Sequence, residues 1–274
     1  MNYRHAFHAG NFADLVKHAA LLRLLAQMTR QPGPLCVIDT HAGRGLYDLG
    51  GSEALRSGEA KAGIGQLMGA ADLPEVFAPL RAAVVEANGG GETRLYPGSP
   101  WLIARALRPG DSYEAFELRP EEHGALGTLM QGRVGVRTAC LDGYSGAQQR
   151  LPAQGSALVL IDPPFERPDD YRQIVATLRA AARRNPAAVV LVWLPLKDLE
   201  TFDAFLREAE AAQAGPLLVA ETRMRPLSDP MKMNGCVLVA ANAPADLAAP
   251  LQEICRWTAE TLGARGTARV WTAG

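Results

Sequence analysis

The fold is indicated most clearly by residues 157–165, which read ALVLIDPPF. An apolar run that ends in an acid and two prolines is typical of a strand that is buried on both faces and followed by a stiff turn. Helix-patterned segments separate most of the similar runs along the chain, so the sequence predicts an α/β fold whose sheet is mostly parallel, with helices on both faces. These other runs lie at 35–39, 113–118, 134–141, 188–193, 217–221 and 236–241.

The two ends of the chain add further elements. Apolar residues recur at helical spacing over 11–28, behind an Asn11 that can cap the first turn, and again over 246–262. Residues 267–272 are expected to add a short strand. The connection between the last two apolar runs lacks a helix pattern, so these two strands are predicted to pair antiparallel at one edge of the sheet.

Residues 45–98 interrupt the alternation of strands and helices. They contain no strand pattern, only two helix-like pieces at 56–69 and 74–88, and three glycines follow the second piece. We therefore predict one domain that spans residues 1–274, with a helical subdomain inserted at residues 48–96.

The composition excludes several classes of protein. The 274 residues are 48% hydrophobic and 21% charged, which is typical of a globular chain and not of a disordered or fibrous one. The longest apolar stretch, 187–195, has about half the length that a membrane-spanning helix needs, and the N-terminus lacks the apolar core of a signal peptide. A cytoplasmic protein is expected, and a monomer, because no coiled coil or exposed apolar helix is apparent.

The charge balance limits how the chain can bind nucleic acid. It has 28 basic and 29 acidic residues, a formal net charge of −1, so no overall basic field attracts RNA or DNA and any such contact must be local. A local cluster of basic and aromatic residues does lie near the start: Tyr3, Arg4, His5, His8, Lys17 and His18.

The cysteines and histidines do not have the spacing of a metal site. The histidines near the N-terminus lack nearby thiolates or a second carboxylate, so no metal is expected. Three of the four cysteines lie inside apolar runs and none forms a Cys-x-x-Cys pair, so buried free thiols are predicted for Cys36, Cys140, Cys236 and Cys255.

The turn after residues 157–161 carries groups suited to chemistry on a conjugated amine. The nitrogen of such an amine is a poor nucleophile because its lone pair is delocalised into the ring. The Asp162 carboxylate and the Pro163 carbonyl can accept hydrogen bonds from its two N–H groups and so favour attack by the nitrogen, while Phe165 can stack on the ring. Strand carboxyl ends are where parallel sheets bind ligands. The alternative is a strand-ending turn with an exposed aromatic residue.

Three other strand ends also carry acids. Residues 39–45, DTHAGRG, follow the first apolar run, and their small residues allow a nucleotide-like ligand to approach the backbone. Glu117, at the end of the second run, suits a ribose diol, and Asp142, at the end of the third, suits the amino edge of an adenine. Each acid taken alone is equally consistent with a solvated turn, and Gly43 and Gly45 with plain turn residues.

Taken together, these motifs resemble those of the class I S-adenosylmethionine-dependent amino-methyltransferases. The resemblance rests on DTHAGRG at 39–45, on Glu117, on Asp142-Gly143 and on DPPF at 162–165. Two further segments narrow the resemblance to one family: the opening segment 3–18, YRHAFHAGNFADLVKH, and PGSP at 97–100. With these segments, nearly the whole chain is similar to the bacterial 23S rRNA (adenine(2030)-N6)-methyltransferase family.

The resemblance implies a Rossmann-like class I methyltransferase fold with a seven-stranded, mostly parallel sheet. It implies S-adenosyl-L-methionine as methyl donor, S-adenosyl-L-homocysteine as product, and 23S rRNA as partner. It also implies that Asp162, Pro163 and Phe165 are catalytic, although many relatives carry Tyr in place of Phe165. The donor-binding residues it implies are His18, His41, Ser99, Glu117, Asp142, Gly143 and Asp162.

The basic cluster at the N-terminus supplies the candidate RNA contacts. Tyr3 matches a family position that meets the RNA substrate. Arg4 and Lys17 are either phosphate contacts or solvated charges. His18 lies one helical turn after Asp14, so a local hydrogen bond would also explain its presence.

Other functions stay open at this point. The same chemistry serves any planar amine, so a DNA adenine-N6-methyltransferase or a protein glutamine-N5-methyltransferase is an alternative. The near-neutral charge and the absence of a recognisable helix-turn-helix disfavour the DNA enzyme. A non-catalytic RNA-binding scaffold is the alternative of another class, and donor binding would separate it from an enzyme.

Overall fold

The computed structural model describes residues 5–212, 215–229 and 231–274. The predicted RNA contacts Tyr3 and Arg4 lie outside these ranges. The helices are α1 (Phe12–Met28), α2 (Ser52–Ser57), α3 (Glu59–Ala62), α4 (Ile64–Gly69), α5 (Ala78–Ala87), α6 (Ser99–Ala106), α7 (Pro120–Met130), α8 (Gly143–Arg150), α9 (Asp170–Arg184), α10 (Leu199–Ala211) and α11 (Ala248–Leu262), with short 3-10 helices at His5–Phe7 and Glu75–Phe77.

Ten strands accompany these helices in the described part of the chain. They are β1 (Leu35–Asp39), β2 (Leu46–Asp48), β3 (Leu95–Pro97), β4 (Ser112–Phe116), β5 (Val136–Ala139), β6 (Ser156–Ile161), β7 (Val189–Leu196), β8 (Leu217–Arg223), β9 (Gly235–Ala241) and β10 (Thr267–Ala273). All the apolar runs that predicted strands therefore contain one, with boundaries that shift by a few residues.

Eight strands form the main sheet, in the order β10-β8-β9-β7-β6-β1-β4-β5. The strands from β7 to β5 are parallel, and β7, β9, β8 and β10 pair antiparallel. The mostly parallel α/β fold and the antiparallel pairing of β8 with β9 are confirmed. The sheet has one strand more than the seven expected, because the predicted C-terminal strand pairs with β8 along its whole length, from Thr267 to Ala273.

Alternate residues of β6 supply the cores on the two faces of the sheet. Leu158 and Leu160 pack in the cluster that contains the apolar side chains of α1 and α11. Val159 and Ile161 point the other way, into the cluster with α8, α9 and α10. Each fully buried aliphatic side chain contributes about 1.5–3 kcal/mol through the hydrophobic effect. The sheet is covered by helices on both faces, as the continuous apolar runs predicted.

The interruption between the first two parallel strands contains helices α2 to α5, bounded by the antiparallel pair β2 and β3. The helix expected over 56–69 is split into shorter pieces. Gly58 ends α2 in the left-handed region, at φ +68°, and a Cβ on Gly63 would lie 2.1 Å from the Gly10 carbonyl oxygen. The division into a domain 1–274 with a subdomain 48–96 stays a prediction.

The cysteines differ in burial. Cys236 and Cys255 are buried and Cys36 is partly buried. Cys140 is exposed, contrary to the prediction, because β5 is the edge strand of the sheet and ends at Ala139. No helix in the described ranges is long and apolar enough to cross a membrane.

Candidate active site

The carboxyl ends of the parallel strands open onto one large cavity. Its volume is about 480 Å³, and it extends from the residues that follow β4 and β5 to the end of β7. Every predicted site residue within the described ranges contributes to its lining: Lys17, His18, His41, Ser99, Glu117, Asp142, Gly143, Asp162, Pro163 and Phe165. The structure therefore brings these residues together, while their individual roles stay predictions.

Asp39, the last residue of β1, is a fully buried acid that contacts Ser99 and His41, two residues of the cavity lining. One of its carboxylate oxygens accepts hydrogen bonds from the Ser99 hydroxyl at 2.7 Å and from the Tyr113 hydroxyl at 3.2 Å. The other accepts the His41 backbone N–H at 3.3 Å. Burial raises the pKa of Asp39 to about 6. The Ser99 hydroxyl thus connects the start of α6 to the end of β1.

Glu117 shapes the loop after β1 from the neighbouring strand end. Its Oε2 accepts the Gly43 N–H at 2.9 Å, and its Oε1 accepts the Arg119 N–H at 2.7 Å. Burial raises the pKa of Glu117. A carboxylate has about four lone-pair positions, so both oxygens retain capacity for the hydroxyls of a diol.

Asp142 and Gly143 join the third strand end to α8. Asp142 Oδ1 caps that helix by accepting the Ser145 N–H at 2.9 Å, and Oδ2 accepts from Arg167 Nη1 at 2.8 Å. Partial burial alone would raise the pKa of Asp142, but these hydrogen bonds hold it below its usual value. A Cβ on Gly143 would lie 1.8 Å from the Thr40 carbonyl oxygen, so only glycine allows this close approach.

Lys17 is buried, at 5% exposure, and forms ion pairs with two carboxylates. Its Nζ lies 2.8 Å from Asp14 Oδ1 and 2.5 Å from Asp162 Oδ2. The expectation that Lys17 is a solvated charge is wrong, since α1 packs it against the sheet. A phosphate contact would require it to leave both partners. The sequence offered one signal for this pairing, the spacing of Asp14 and Lys17 by one helical turn.

His18 has a different partner from the one expected. Its Nδ1 lies 2.7 Å from the Tyr96 hydroxyl, whereas its Nε2 is 4.0 Å from Asp14, too far for a hydrogen bond. Burial lowers the pKa of His18 to about 3, so the ring is neutral. Asp14, which the motif analysis did not single out as a site residue, instead pairs with Lys17 and His5.

The helical segment between β2 and β3 also reaches the cavity, through Glu59. One carboxylate oxygen accepts from Asn11 Nδ2 at 2.9 Å, and both lie 3.0 Å from His8 Nδ1. The hydrogen bond to Glu59 raises the pKa of His8. Glu59 was not predicted as a site residue, because the sequence gives no sign that the N-terminal segment contacts α3. Among the described residues, no group of three or more His, Cys, Asp or Glu could hold a metal ion.

Phe165 presents an aromatic ring from a strained part of the chain. Its φ is +53°, in the left-handed region that non-glycine residues rarely adopt. The ring packs against Tyr171, with centroids 5.0 Å apart, and against Trp193 at 6.0 Å. Trp193 lies on β7 and lines the cavity, a placement that its apolar run did not reveal.

His41 is held between a hydroxyl and an aromatic ring. Its Nδ1 lies 2.7 Å from the Thr40 hydroxyl, and its ring meets Tyr144 edge-on with centroids 4.9 Å apart. Burial lowers the pKa of His41 to about 4. The side chain is therefore neutral and polar inside the cavity at neutral pH.

These pKa values predict a loss of stability in mild acid. In the unfolded chain His18 and His41 take up protons near pH 6.5, whereas in the folded protein they do so near 3 and 4. The unfolded state therefore binds more protons as the pH falls from 6.5 to about 4, and the free energy of unfolding decreases. Asp39 acts in the opposite sense between about pH 6 and 4. Its contribution to the free energy of unfolding offsets that of about one of the two histidines.

The measurement is urea unfolding at several pH values between 7 and 4.5, on the wild type and on His41→Asn. We expect a shallower dependence on pH in the variant, because one of the titrating groups is removed. Parallel curves for the two proteins would contradict the assignment to His41.

The chain is similar to known proteins over nearly its whole length. It is 33% identical to ribosomal RNA large subunit methyltransferase J of Haemophilus influenzae, with 99% of this chain and 97% of the relative covered. It is 31% identical to the protein of the same name from Escherichia coli K12, with 97% and 96% covered.

A solved structure supports the same relationship. The crystal structure of a Legionella pneumophila protein matches with a TM-score of 0.87 at 29% identity, covering 97% of this chain and 98% of that one. The family model for ribosomal RNA large subunit methyltransferase D, RlmJ, matches residues 32–273. The methyltransferase motifs at the strand ends and these full-length matches agree, and the chain belongs to the RlmJ family of ribosomal RNA large subunit methyltransferases.

Proposed function

We propose that this protein transfers the methyl group of S-adenosyl-L-methionine to the exocyclic N6 of an adenine in 23S rRNA, with adenine 2030 as the target. The observation that carries the proposal is the position of Asp162, Pro163 and Phe165 in the same cavity as the acidic ends of β4 and β5. One cavity thus offers acceptors and an aromatic ring for an amine beside groups suited to a nucleoside donor.

The residues of the strand ends fit the donor chemically. Glu117 suits the ribose hydroxyls and Asp142 the adenine amino group, because both are carboxylates with lone pairs that the protein leaves free. Leu118, which is 47% exposed, lines the cavity beside Glu117 and offers an apolar surface to a flat ring. His41, Gly143, Ser99 and His18 complete the proposed donor pocket. When bound, the donor supplies an electrophilic methyl group on a sulfonium.

The DPPF segment would act on the acceptor amine. The Asp162 carboxylate and the Pro163 carbonyl accept hydrogen bonds from its two N–H groups and orient the nitrogen lone pair toward the methyl group. As the nitrogen acquires positive charge, the negative Asp162 stabilises it. Phe165 and Trp193 offer faces on which the base can stack once it has left its helix.

The same proposal extends to the parts of the chain that bind RNA. We propose that Tyr3 and Arg4, which precede the described residues, contact the substrate. Lys17, predicted from the sequence as an RNA contact, would instead act from within the cavity by holding Asp162 in place for the target base. We also propose a monomeric domain 1–274 in which the insertion 48–96 forms a helical subdomain beside the cavity.

Glu117→Ala is expected to weaken donor binding about 10- to 100-fold, because a hydrogen bond to a charged group contributes about 1.5–3 kcal/mol. Turnover at saturating donor should fall much less, since the ribose contact exists both before and during the reaction. Calorimetry with S-adenosylhomocysteine measures the affinity. Glu114→Ala is the matched control, since Glu114 lies on the same strand and pairs with Arg137. Equal affinities for the two variants would refute the role of Glu117.

The test of the function is methyl transfer from labelled S-adenosylmethionine to large-subunit rRNA, small-subunit rRNA and duplex DNA in parallel, followed by nucleoside mass spectrometry. N6-methyladenosine from large-subunit rRNA alone is the expected result. Labelling of the DNA instead would favour the DNA enzyme. Failure to bind the donor would leave the non-catalytic scaffold.

A further inference from the structure

Arg167, five residues after Asp162, links the catalytic segment to the donor side of the cavity. We propose that it is a positioning residue, which fixes the loop 162–169 relative to Asp142 and so sets the distance between the acceptor amine and the donor. The inference rests on the proposed function, because it assigns Asp142 to the donor and Asp162 to the amine.

The guanidinium of Arg167 joins two carboxylates from different parts of the chain. Nη1 donates to Asp142 Oδ2 at 2.8 Å, at the end of the segment that follows β5. Nε and Nη2 donate to Asp169 Oδ1 and Oδ2 at 3.1 and 3.0 Å, in a two-point fork. The loop after β6 is thereby tied to the acid that caps α8.

Aromatic and backbone contacts complete the attachment. The Arg167 guanidinium carbon lies 5.8 Å from the centre of the Tyr144 ring, and the Arg167 N–H donates to Asp170 Oδ2 at 3.1 Å. Tyr144 donates in turn to Asp170 Oδ1 at 3.0 Å, and its ring supports His41. Arg167 thus contacts groups from the third strand end, from α8 and from the start of α9.

The loop that Arg167 holds contains the left-handed Phe165. A strained conformation persists only where the surroundings fix it. Lys17 holds the first residue of the loop through Asp162, and Arg167 holds the other end two residues after Phe165. With both ends fixed, the prolines and Phe165 have one position relative to Asp142.

The geometry requires arginine rather than a general positive charge. The planar guanidinium reaches Asp142 and Asp169 at the same time, with three separate N–H groups. A lysine has a single ammonium on a flexible stem, so it can hold one carboxylate but does not impose the distance between the two.

The first experiment compares Arg167→Met and Arg167→Lys with Arg172→Met, an exposed position in the next turn that lies outside this network. For Arg167→Met we expect kcat at saturating donor and RNA to fall about 10- to 100-fold, as for a misplacement on the order of 1 Å. The affinity for S-adenosylhomocysteine should fall by a smaller factor. Arg167→Lys should recover affinity but not kcat, and Arg172→Met should match the wild type.

The second experiment asks whether the effect on affinity passes through Asp142. Asp142→Ser retains a side chain that caps a helix but removes the partner of Arg167. In that background, Arg167→Met should cause no further loss of affinity for S-adenosylhomocysteine and little further loss of kcat, because the bond that ties the loop to residue 142 is already absent.

Two results would overturn the proposal. One is that Arg167→Met and Arg172→Met show the same kcat and affinity, and the other is that Arg167→Met weakens binding equally with and without Asp142. Unfolding curves check that each variant folds. If Arg167→Met does not fold, Arg167→Lys, which retains the positive charge, takes its place in the comparison. A wild-type protein that binds no S-adenosylhomocysteine, or methylates no RNA, would overturn the proposed function instead.

Discussion

Asp162→Ala is expected to lower methyl transfer by at least about 10²–10³-fold, the range found when one preorganised polar contact to a reacting group is removed. The donor affinity should stay close to that of the wild type, because Glu117 and Asp142 are untouched. The fold should also persist, since Lys17 keeps its ion pair with Asp14. Single-turnover methylation of large-subunit rRNA and calorimetry with S-adenosylhomocysteine measure the two effects separately.

Asp162→Asn is the matched variant for this prediction. Its amide oxygen can still accept one N–H of the amine, although it carries no negative charge. We therefore expect more residual activity in the asparagine variant than in the alanine variant. Near-normal turnover by Asp162→Ala would remove Asp162 from the reaction, whatever the asparagine variant does.

Lys17→Met has the largest expected effect on stability. It leaves Asp14 and Asp162 without their shared cation, and removal of one partner from a buried ion pair costs about 3–5 kcal/mol. Burial alone would raise the pKa of Asp14, but Lys17, with His5, holds it well below its usual value. The loss of stability should therefore be larger at pH 7 than in acid, where protonation of Asp14 relieves it.

Urea unfolding at pH 7 and pH 4 measures this loss. Lys232→Met is the control, because Lys232 is an exposed lysine paired with Asp229 at 3.3 Å. An exposed pair contributes about 0–1 kcal/mol, so this variant should unfold almost as the wild type does. Similar free energies of unfolding for the two variants would show that the buried ion pairs do not stabilise the fold.

Local sequence was enough to predict most of the fold and to select residues that line one cavity, the candidate site. Continuous apolar runs identify strands buried on both faces, and the acids that end them gather at one edge because parallel strands share a direction. The eighth strand was harder to place. Residues 267–272 read as a strand, but its pairing with β8 depends on the antiparallel end of the sheet.

The contacts that define the site arise from residues far apart in the chain. Tyr96 is 78 residues from His18, and Asp162 is 145 residues from Lys17. The sequence does not show that Lys17 is buried, because its burial depends on how α1 packs in the fold. The positions of Trp193 and Arg167 likewise follow from the fold, so pattern and motif alone did not indicate them.

The C-terminal strand changes which edge of the sheet faces other molecules. Without β10 the free edge would be β8, in which six of seven residues are buried, and a long unpaired edge strand of this kind can pair with another chain. With β10 in place, the outermost strand exposes Thr267, Arg269 and Thr272, and Arg269 lies over the Trp271 ring at 4.7 Å. We therefore expect β10, which covers the edge of β8, to reduce intermolecular pairing at this side of the sheet.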